Sequence, residues 1–316
     1  MLIWRCNKSL VMDTNKSTKL DYDYENLFDT SISNLEEKEI SDLLKFNKID
    51  HHYVSKTIQS GNQFEVELYP AFSKKEINKY RIKKKPSKTY KKNLNEKNAR
   101  KYFIRLINNN FNENDYVIHL TYSNENLPDS IEEAEKNVNN FIRKINYRRK
   151  KLGLENSKYI YVTEFDKDKK IRVHHHMIIE GTIDRLLLKN LWTLGTRTKI
   201  EELEPDEYGL TGLANYLAKD PKGKKRWKSS KNLKKPLERK AFTRFSKRKI
   251  SRMIEDPTLI SKFMLESFKS KDFLDYEIRY NKVNRLFYIY VRMKIKDKMN
   301  FSGQKRRLND WKINLL

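Results

Sequence analysis

Two stretches with strand composition, joined by a short polar turn, constrain the fold of this chain more than any other feature. The first runs from Tyr159 to Glu164 and the second from Arg172 to Ile179. The residues between them are rich in Asp and Lys, which is typical of a hairpin loop. The pattern predicts two antiparallel strands, with Glu164 beside the start of the second strand.

The second predicted strand carries the triplet His174-His175-His176, which is half of the six histidines in the chain. Because side chains alternate along a strand, His174 and His176 leave one face and His175 leaves the other. Two imidazoles and the Glu164 carboxylate suit a divalent ion with coordination positions left for a substrate. The alternative is a hydrogen-bonded polar patch or an incidental metal binder. The concentration of histidines at this point favours the metal site.

A second reactive group lies in a predicted helix that ends at Pro221. Leucines recur there at helical spacing, and Tyr216 and Lys219 are neighbours on another face. A phenol is a poor nucleophile at neutral pH unless a cation steadies the phenolate or a metal activates the phosphate that it attacks. The pair predicts a Tyr216 nucleophile assisted by Lys219. The alternative is an ordinary amphipathic helix with a half-buried tyrosine.

The remaining pattern predicts an α+β fold, with helices packed on a mostly antiparallel sheet. A strand is expected over residues 117–122, and Ser130 with Glu133 forms a capping box for a long helix that ends at Gly153. A short helix over residues 184–191 and a strand near Thr198 precede the tyrosine helix.

Three regions are expected along the chain. Residues 1–110 form an N-terminal region with an acidic segment, a hairpin over residues 52–72 and a basic arm. Residues 111–235 form the domain that holds the histidines and the tyrosine. Residues 236–316 form a small C-terminal accessory domain, which either recognises a nucleic-acid sequence or braces the core.

Positive charge is concentrated in two stretches, within a formal net charge of +26. Residues 222–249 hold fourteen Lys or Arg against one Glu, and residues 74–92 hold ten against one. Such surfaces bind nucleic-acid phosphates. We expect the first stretch to bind DNA, with Phe242 and Phe245 stacking on unpaired bases, whereas the second can equally be a flexible tail. The residues expected to contact nucleic acid are Lys224, Lys225, Arg226, Trp227, Lys228 and Lys231.

Other features of the composition exclude several classes of protein. The single cysteine, Cys6, excludes an intramolecular disulfide and suits a reducing compartment. No apolar run is long enough to span a bilayer, and no secretion signal is evident. The phosphate-binding motif G-x-x-x-x-G-K-[ST] is absent from the sequence, so no ATP use is expected. We expect a soluble, cytoplasmic protein.

Together these motifs resemble the HUH endonuclease superfamily and, within it, the single-tyrosine rolling-circle replication initiators of small phages and plasmids. The resemblance covers roughly residues 112–235. The middle residue of the metal motif is usually hydrophobic in that family, and here it is His175. The matching segments are His174-His175-His176 for the metal motif, Glu164 for the third ligand, Tyr216-Leu-Ala-Lys219 for the tyrosine motif, Ile118-His-Leu-Thr-Tyr122 for the first motif, and Trp192-Thr-Leu-Gly195.

The resemblance implies a ferredoxin-like or RNA-recognition-motif-like core, with Mg²⁺ or Mn²⁺ on the face of its central sheet. It implies an endonuclease in which Tyr216 attacks a phosphate of single-stranded or melted origin DNA and Lys219 stabilises the charge. The products would be a 5′-phosphotyrosine and a free 3′-hydroxyl, and the reverse reaction would rejoin strands without ATP. A host polymerase and helicase would act in trans in the bacterial cytoplasm.

Two other functions fit the same residues. A single-tyrosine transposase or relaxase would use the same chemistry on a different substrate. A basic nucleic-acid-binding protein would use the histidines only to hold a structural metal, although structural zinc sites usually draw on cysteines.

Overall fold

The computed structural model describes residues 30–31, 36, 38–39, 52–71, 88–165, 172–218, 227–280 and 286–296. These residues form an α+β fold with one six-stranded and one five-stranded sheet, which confirms the predicted fold class. Within these ranges no helix has both the length and the apolar character needed to cross a membrane.

The strands are β1 (Thr30–Ser31), β2 (His52–Ser60), β3 (Gln63–Ala71), β4 (Tyr116–Thr121), β5 (Tyr159–Glu164), β6 (His174–Ile179), β7 (Lys199–Glu202), β8 (Lys228–Ser229), β9 (Leu237–Ala241), β10 (Lys271–Tyr280) and β11 (Phe287–Ile295). The helices are α1 (Lys88–Asn110), α2 (Ile131–Lys151), α3 (Arg185–Leu191), α4 (Thr211–Leu217), α5 (Lys247–Glu255) and α6 (Leu259–Ser267).

The five-stranded sheet is antiparallel and has the order β7-β4-β6-β5-β8. Strands β4 to β7 alternate with α2 and α3 in the succession βαββαβ, which is that of ferredoxin-like folds. The hairpin predicted between Tyr159 and Ile179 is confirmed as β5 and β6. The predicted strand before α2, the short helix α3 and the strand near Thr198 are confirmed as well.

Helix α2 begins and ends where its sequence predicts. The Ser130 hydroxyl accepts a hydrogen bond from the Glu133 amide at 3.1 Å, and the Glu133 carboxylate accepts one from the Asp129 amide at 2.9 Å. Leu152, which the apolar pattern assigned to the buried stripe, is 55% exposed because the helix stops at Lys151. The side chains that it does bury are Ala134, Val138, Phe141, Ile142 and Ile145.

The six-stranded sheet has the order β1-β10-β11-β3-β2-β9 and joins strands from both ends of the chain. Strands β2 and β3 form the predicted hairpin, whose two-residue loop begins at Gly61 with a φ of 59°. The C-terminal hairpin of β10 and β11 pairs with β3 through β11. Helices α5 and α6 pack their apolar side chains against one face of this sheet.

Helix α1 lies between the two sheets. Its side chains Phe103 and Ile107 share a hydrophobic cluster with strands of the five-stranded sheet. From the same helix, Arg105 forms ion pairs with Glu65 at 2.6 Å and Glu67 at 3.2 Å, both on β3 of the six-stranded sheet. Because Arg105 is buried, these carboxylates are needed to compensate its charge.

The basic stretch over residues 222–249 contributes regular structure after Trp227, in the form of β8, β9 and the start of α5. The prediction that Phe245 stacks on unpaired bases is wrong, because this side chain is buried in the core beneath the six-stranded sheet. Phe242 is 38% exposed. The predicted basic arm over residues 74–92 falls largely outside the described residues, and the three predicted domain boundaries stay predictions.

Candidate metal and tyrosine site

Three histidines converge on one face of the five-stranded sheet. His174 and His176 alternate along β6, and their Nε2 atoms lie 3.2 Å apart. His119 lies on β4 directly opposite His176 in the strand register. Its ring is stacked on that of His176, with 4.5 Å between ring centroids, and lies 4.9 Å from the ring of His174.

Glu164 adds a carboxylate to the same cluster. The β5–β6 register places Glu164 opposite His174. One of its oxygens lies 3.5 Å from Nε2 of His174, and the other lies 3.5 Å from Nε2 of His176. The hairpin therefore brings together the three residues that the sequence predicted as metal ligands.

The surroundings of His174 and His119 give each ring a nitrogen that can accept a cation. Nδ1 of His174 lies 2.8 Å from the carbonyl oxygen of Arg172, so Nδ1 must carry the proton and Nε2 presents its lone pair. Nε2 of His119 is buried without a hydrogen-bond partner among the described residues. Burial and the nearby His174 lower the pKa of His119, which favours the neutral imidazole that a metal requires.

These donors fit a divalent metal ion. The ligand atoms of His119, His174 and His176 all lie within 4.8 Å of one another. Nitrogen donors combined with a carboxylate are a common ligand set for divalent first-row metals. The metal role of His119 was missed by sequence reasoning, which placed this residue only in the first motif. A polar residue inside an otherwise apolar strand was the signal available.

His175 takes no part in this cluster. Its side chain is fully buried on the opposite face, where Nε2 lies 2.8 Å from the Tyr122 hydroxyl and Nδ1 lies 2.8 Å from the Thr163 hydroxyl. Both ring nitrogens are thus engaged. Burial, with the neighbouring histidines, lowers the pKa of His175 to about 3, so the ring is neutral. This residue is a core side chain of the metal strand.

The rim of the sheet beside the histidines is shaped by Trp192 and Gly195. The indole nitrogen of Trp192 donates a hydrogen bond to the carbonyl oxygen of Thr121 at 2.7 Å. A Cβ atom at Gly195 would lie 2.0 Å from the same oxygen, so only glycine allows this approach. These contacts attach the segment after α3 to the end of β4, two residues beyond His119.

Tyr216 reaches the cluster from helix α4. The helix buries Ala214 and Leu217, whereas Tyr216 is 51% exposed. The Tyr216 ring lies 5.6 Å from the His176 ring, at an interplanar angle of 83°. The candidate nucleophile and the candidate metal ligands are therefore adjacent, although forty residues separate them in the chain.

Asn108 of helix α1 holds the start of α4. Its side-chain oxygen accepts a hydrogen bond from the Leu210 amide at 2.7 Å, and its nitrogen donates to the Thr211 hydroxyl at 3.1 Å. Tyr208, which precedes α4, donates through its hydroxyl to Asp275 on β10 at 3.0 Å. The position of the tyrosine helix thus depends on contacts outside the five-stranded sheet.

The other predicted site residues are only partly described. Lys219, Lys224, Lys225 and Arg226 lie outside the described residues. Trp227 is half-buried and packs on Phe103, with 4.9 Å between the ring centroids. Lys228 forms an ion pair with Glu135 at 2.5 Å, and Lys231 is exposed.

Comparison with known proteins gives one match. Residues 115–221 match the model of a family described as replication-associated protein ORF2. This range holds Glu164, the three clustered histidines and Tyr216. No curated protein and no solved structure gives a significant match. The family match supports placing this chain among replication initiator proteins, with a role in DNA replication.

Proposed function

We propose that this protein starts DNA replication by nicking one DNA strand, with Tyr216 as the nucleophile beside a metal site. The observation that carries the proposal is the 5.6 Å approach of the Tyr216 ring to the ring of His176. A solvent-exposed tyrosine next to a cluster of metal-binding side chains has the arrangement that nucleophilic attack on a phosphate requires.

The residues that would hold the metal are His119, His174, His176 and Glu164. A divalent ion bound there would polarise the scissile phosphate and offset the charge that develops during attack. Mg²⁺ and Mn²⁺ are both candidates. The three imidazole donors favour Mn²⁺, because Mg²⁺ prefers oxygen ligands.

The reaction is a transesterification. The Tyr216 oxygen loses its proton and forms a bond to phosphorus, while the bond between phosphorus and the 3′-oxygen breaks. The 3′-oxygen takes up a proton, which leaves a free 3′-hydroxyl and a 5′-phosphotyrosine. The hydroxyl would prime a host polymerase. Attack by a returning 3′-hydroxyl reverses the reaction and rejoins the strand without ATP.

Lys219 and the basic residues after it would bind the DNA. On helix α4 continued by one turn, Lys219 would lie beside Tyr216 and stabilise the phenolate or the phosphate charge. The phosphates on either side of the scissile bond would contact Lys224, Lys225, Arg226, Lys228 and Lys231, with Trp227 close to the strand. The net charge of +26 supports a polyanionic substrate.

A denaturing gel tests the proposal. Wild-type protein, labelled single-stranded origin oligonucleotides and Mn²⁺ should give a band that carries the protein covalently. Tyr216→Phe should abolish this band while DNA binding persists, since only the hydroxyl is removed. Tyr147→Phe is a matched control, because Tyr147 is 58% exposed on α2. An adduct that survives in Tyr216→Phe would exclude the mechanism.

Two alternative functions stay open to the same experiment. A transposase or relaxase would form the same adduct but would not convert a nicked circular template into single-stranded circles. A non-enzymatic DNA-binding protein with a structural metal would form no adduct. The exposure of Tyr216 favours a catalytic role, because a structural tyrosine gains stability from burial of its ring.

A further inference from the structure

A cleft opens on the six-stranded sheet, in a part of the protein that the proposed nicking reaction does not use. It has a volume of about 430 Å³ and lies between strands β2 and β9 and the segment that joins α6 to β10. This volume falls within the range of roughly 300–1,000 Å³ that is typical of small-ligand sites. It suits individual nucleotides of a single strand better than a DNA duplex.

The floor of the cleft is unusually polar for its place in the fold. Ser55, Thr57 and Gln59 alternate along β2 and face the same side of the sheet as the apolar core residues opposite them on β3. Ser55 is 2% exposed, and its hydroxyl has no hydrogen-bond partner among the described residues. A buried hydroxyl without a partner costs stability. Such a strip is therefore better explained by a polar ligand than by packing.

The walls of the cleft carry positive charge. Its basic lining residues are Arg239, Lys240, Arg244 and Lys271, and none of the described lining residues is acidic. Across the described part of the chain, no carboxylate forms an ion pair with Arg239, Arg244 or Lys271. Arg105 and Arg292, by contrast, each pair with a carboxylate. The cleft thus has an uncompensated charge that an anion from outside would neutralise.

Two of these cations are held in position by aromatic rings. The guanidinium of Arg244 lies 4.8 Å from the Phe268 ring centroid and donates a hydrogen bond to the Ser267 carbonyl oxygen at 3.3 Å. The ammonium of Lys271 lies 5.1 Å from the Phe64 ring centroid. Cations that are already ordered lose less entropy on binding a phosphate than freely rotating side chains do.

We propose that this cleft is a second DNA-binding site, which holds the phosphate backbone of single-stranded DNA outside the segment bound at the histidine and tyrosine site. Guanidinium and ammonium groups bind backbone phosphates without regard to sequence, so the cleft would position the strand and not read it. The choice of DNA as the anion rests on the proposed function. The presence of an anion site rests on the cleft alone.

Binding measurements with a charge-matched control test this proposal. The cleft variant is Arg239→Gln with Lys271→Gln, and the control is Arg185→Gln with Lys189→Gln, which removes the same charge from exposed positions on α3. Fluorescence anisotropy would follow a short oligonucleotide that covers only the nick site and a longer one with flanking nucleotides. For the longer strand, we expect weaker binding by the cleft variant. The slope of log affinity against log salt should flatten by roughly 0.7 for each lost phosphate contact.

The control variant should keep most of the affinity and slope of the wild type. Equal effects of the two double variants, or wild-type binding by the cleft variant, would overturn the proposal. The single variant Arg239→Glu, at an exposed position, repeats the test if the double variant does not fold. Thermal stabilisation of the wild type by inorganic phosphate, with no change in DNA binding by the cleft variant, would show a small-anion site and also overturn it. Adduct formation by wild-type protein on the short oligonucleotide reports separately on the proposed nicking function.

Discussion

His119 and His176 lie opposite each other on neighbouring antiparallel strands, with their rings stacked 4.5 Å apart. The register between β4 and β6 therefore decides which side chains surround the candidate metal site. A shift by one residue would turn His119 to the other face of the sheet.

Replacement of His119 tests whether it belongs to the metal site. His119→Gln should weaken Mn²⁺ binding by at least about tenfold, because a ligand atom is lost from a site with few donors. Isothermal titration calorimetry would measure the affinity. His52→Gln, at an exposed position, is the matched control. A loss in His174→Gln but none in His119→Gln would assign the site to the β5–β6 hairpin alone.

His175 should affect stability and not metal affinity. His175→Leu leaves the Tyr122 hydroxyl without its 2.8 Å partner, so we expect a loss of about 1–3 kcal/mol in the free energy of unfolding. Adding Tyr122→Phe to this variant should recover part of the loss, since both polar partners are then removed. Urea denaturation measures the effect. Weaker Mn²⁺ binding by a folded His175→Leu protein would contradict this assignment.

Asn108 should act on nicking by positioning the tyrosine helix. Asn108→Ala removes the hydrogen bonds to Leu210 and Thr211, so the rate of adduct formation should fall by up to about tenfold, equal to about 1.4 kcal/mol. Single-turnover kinetics at saturating DNA would separate this effect from binding. Asn139→Ala, at an exposed position on α2, is the control. A loss of DNA affinity with an unchanged rate would rule out a positioning role.

The buried ion pairs of Glu67 should make stability fall in acid. Burial by itself would raise the pKa of Glu67, but Lys56 and Arg105 outweigh it and hold the pKa below its usual value. A carboxylate with a depressed pKa stabilises the fold above its unfolded pKa of about 4.3, and this contribution is lost as the pH falls through the folded pKa. Denaturation between neutral pH and about pH 3 should show a weaker pH dependence in Glu67→Gln than in the wild type. Glu132→Gln, exposed on α2, should behave like the wild type.

Local patterns predicted the elements whose partners are close in the chain. The hairpin that places Glu164 beside His174 and His176 depends on a short turn and on alternation, both visible in residues 159–179. Helix α2 was equally predictable from its capping residues and apolar stripe. Interactions of this kind need no knowledge of distant residues.

Long-range pairing escaped the same reasoning. His119 joins the cluster only through pairing of β4 with β6, across more than fifty residues. Phe245 lies in a basic stretch that indicated a surface, yet it is buried because α5 and α6 cover the six-stranded sheet. The short segment Leu237–Ala241 lacks strand alternation and becomes a strand by pairing with β2.

The sequence alone determined the α+β class, the β5–β6 hairpin and the residue types of the candidate site, because each follows from local spacing and side-chain chemistry. Only the tertiary structure decided that His119 completes the histidine cluster, that Tyr216 lies beside His176, and that strands from both ends of the chain enclose a basic cleft. The reason is physical: register and packing between distant segments depend on many weak contacts at once, and no short stretch of sequence contains them.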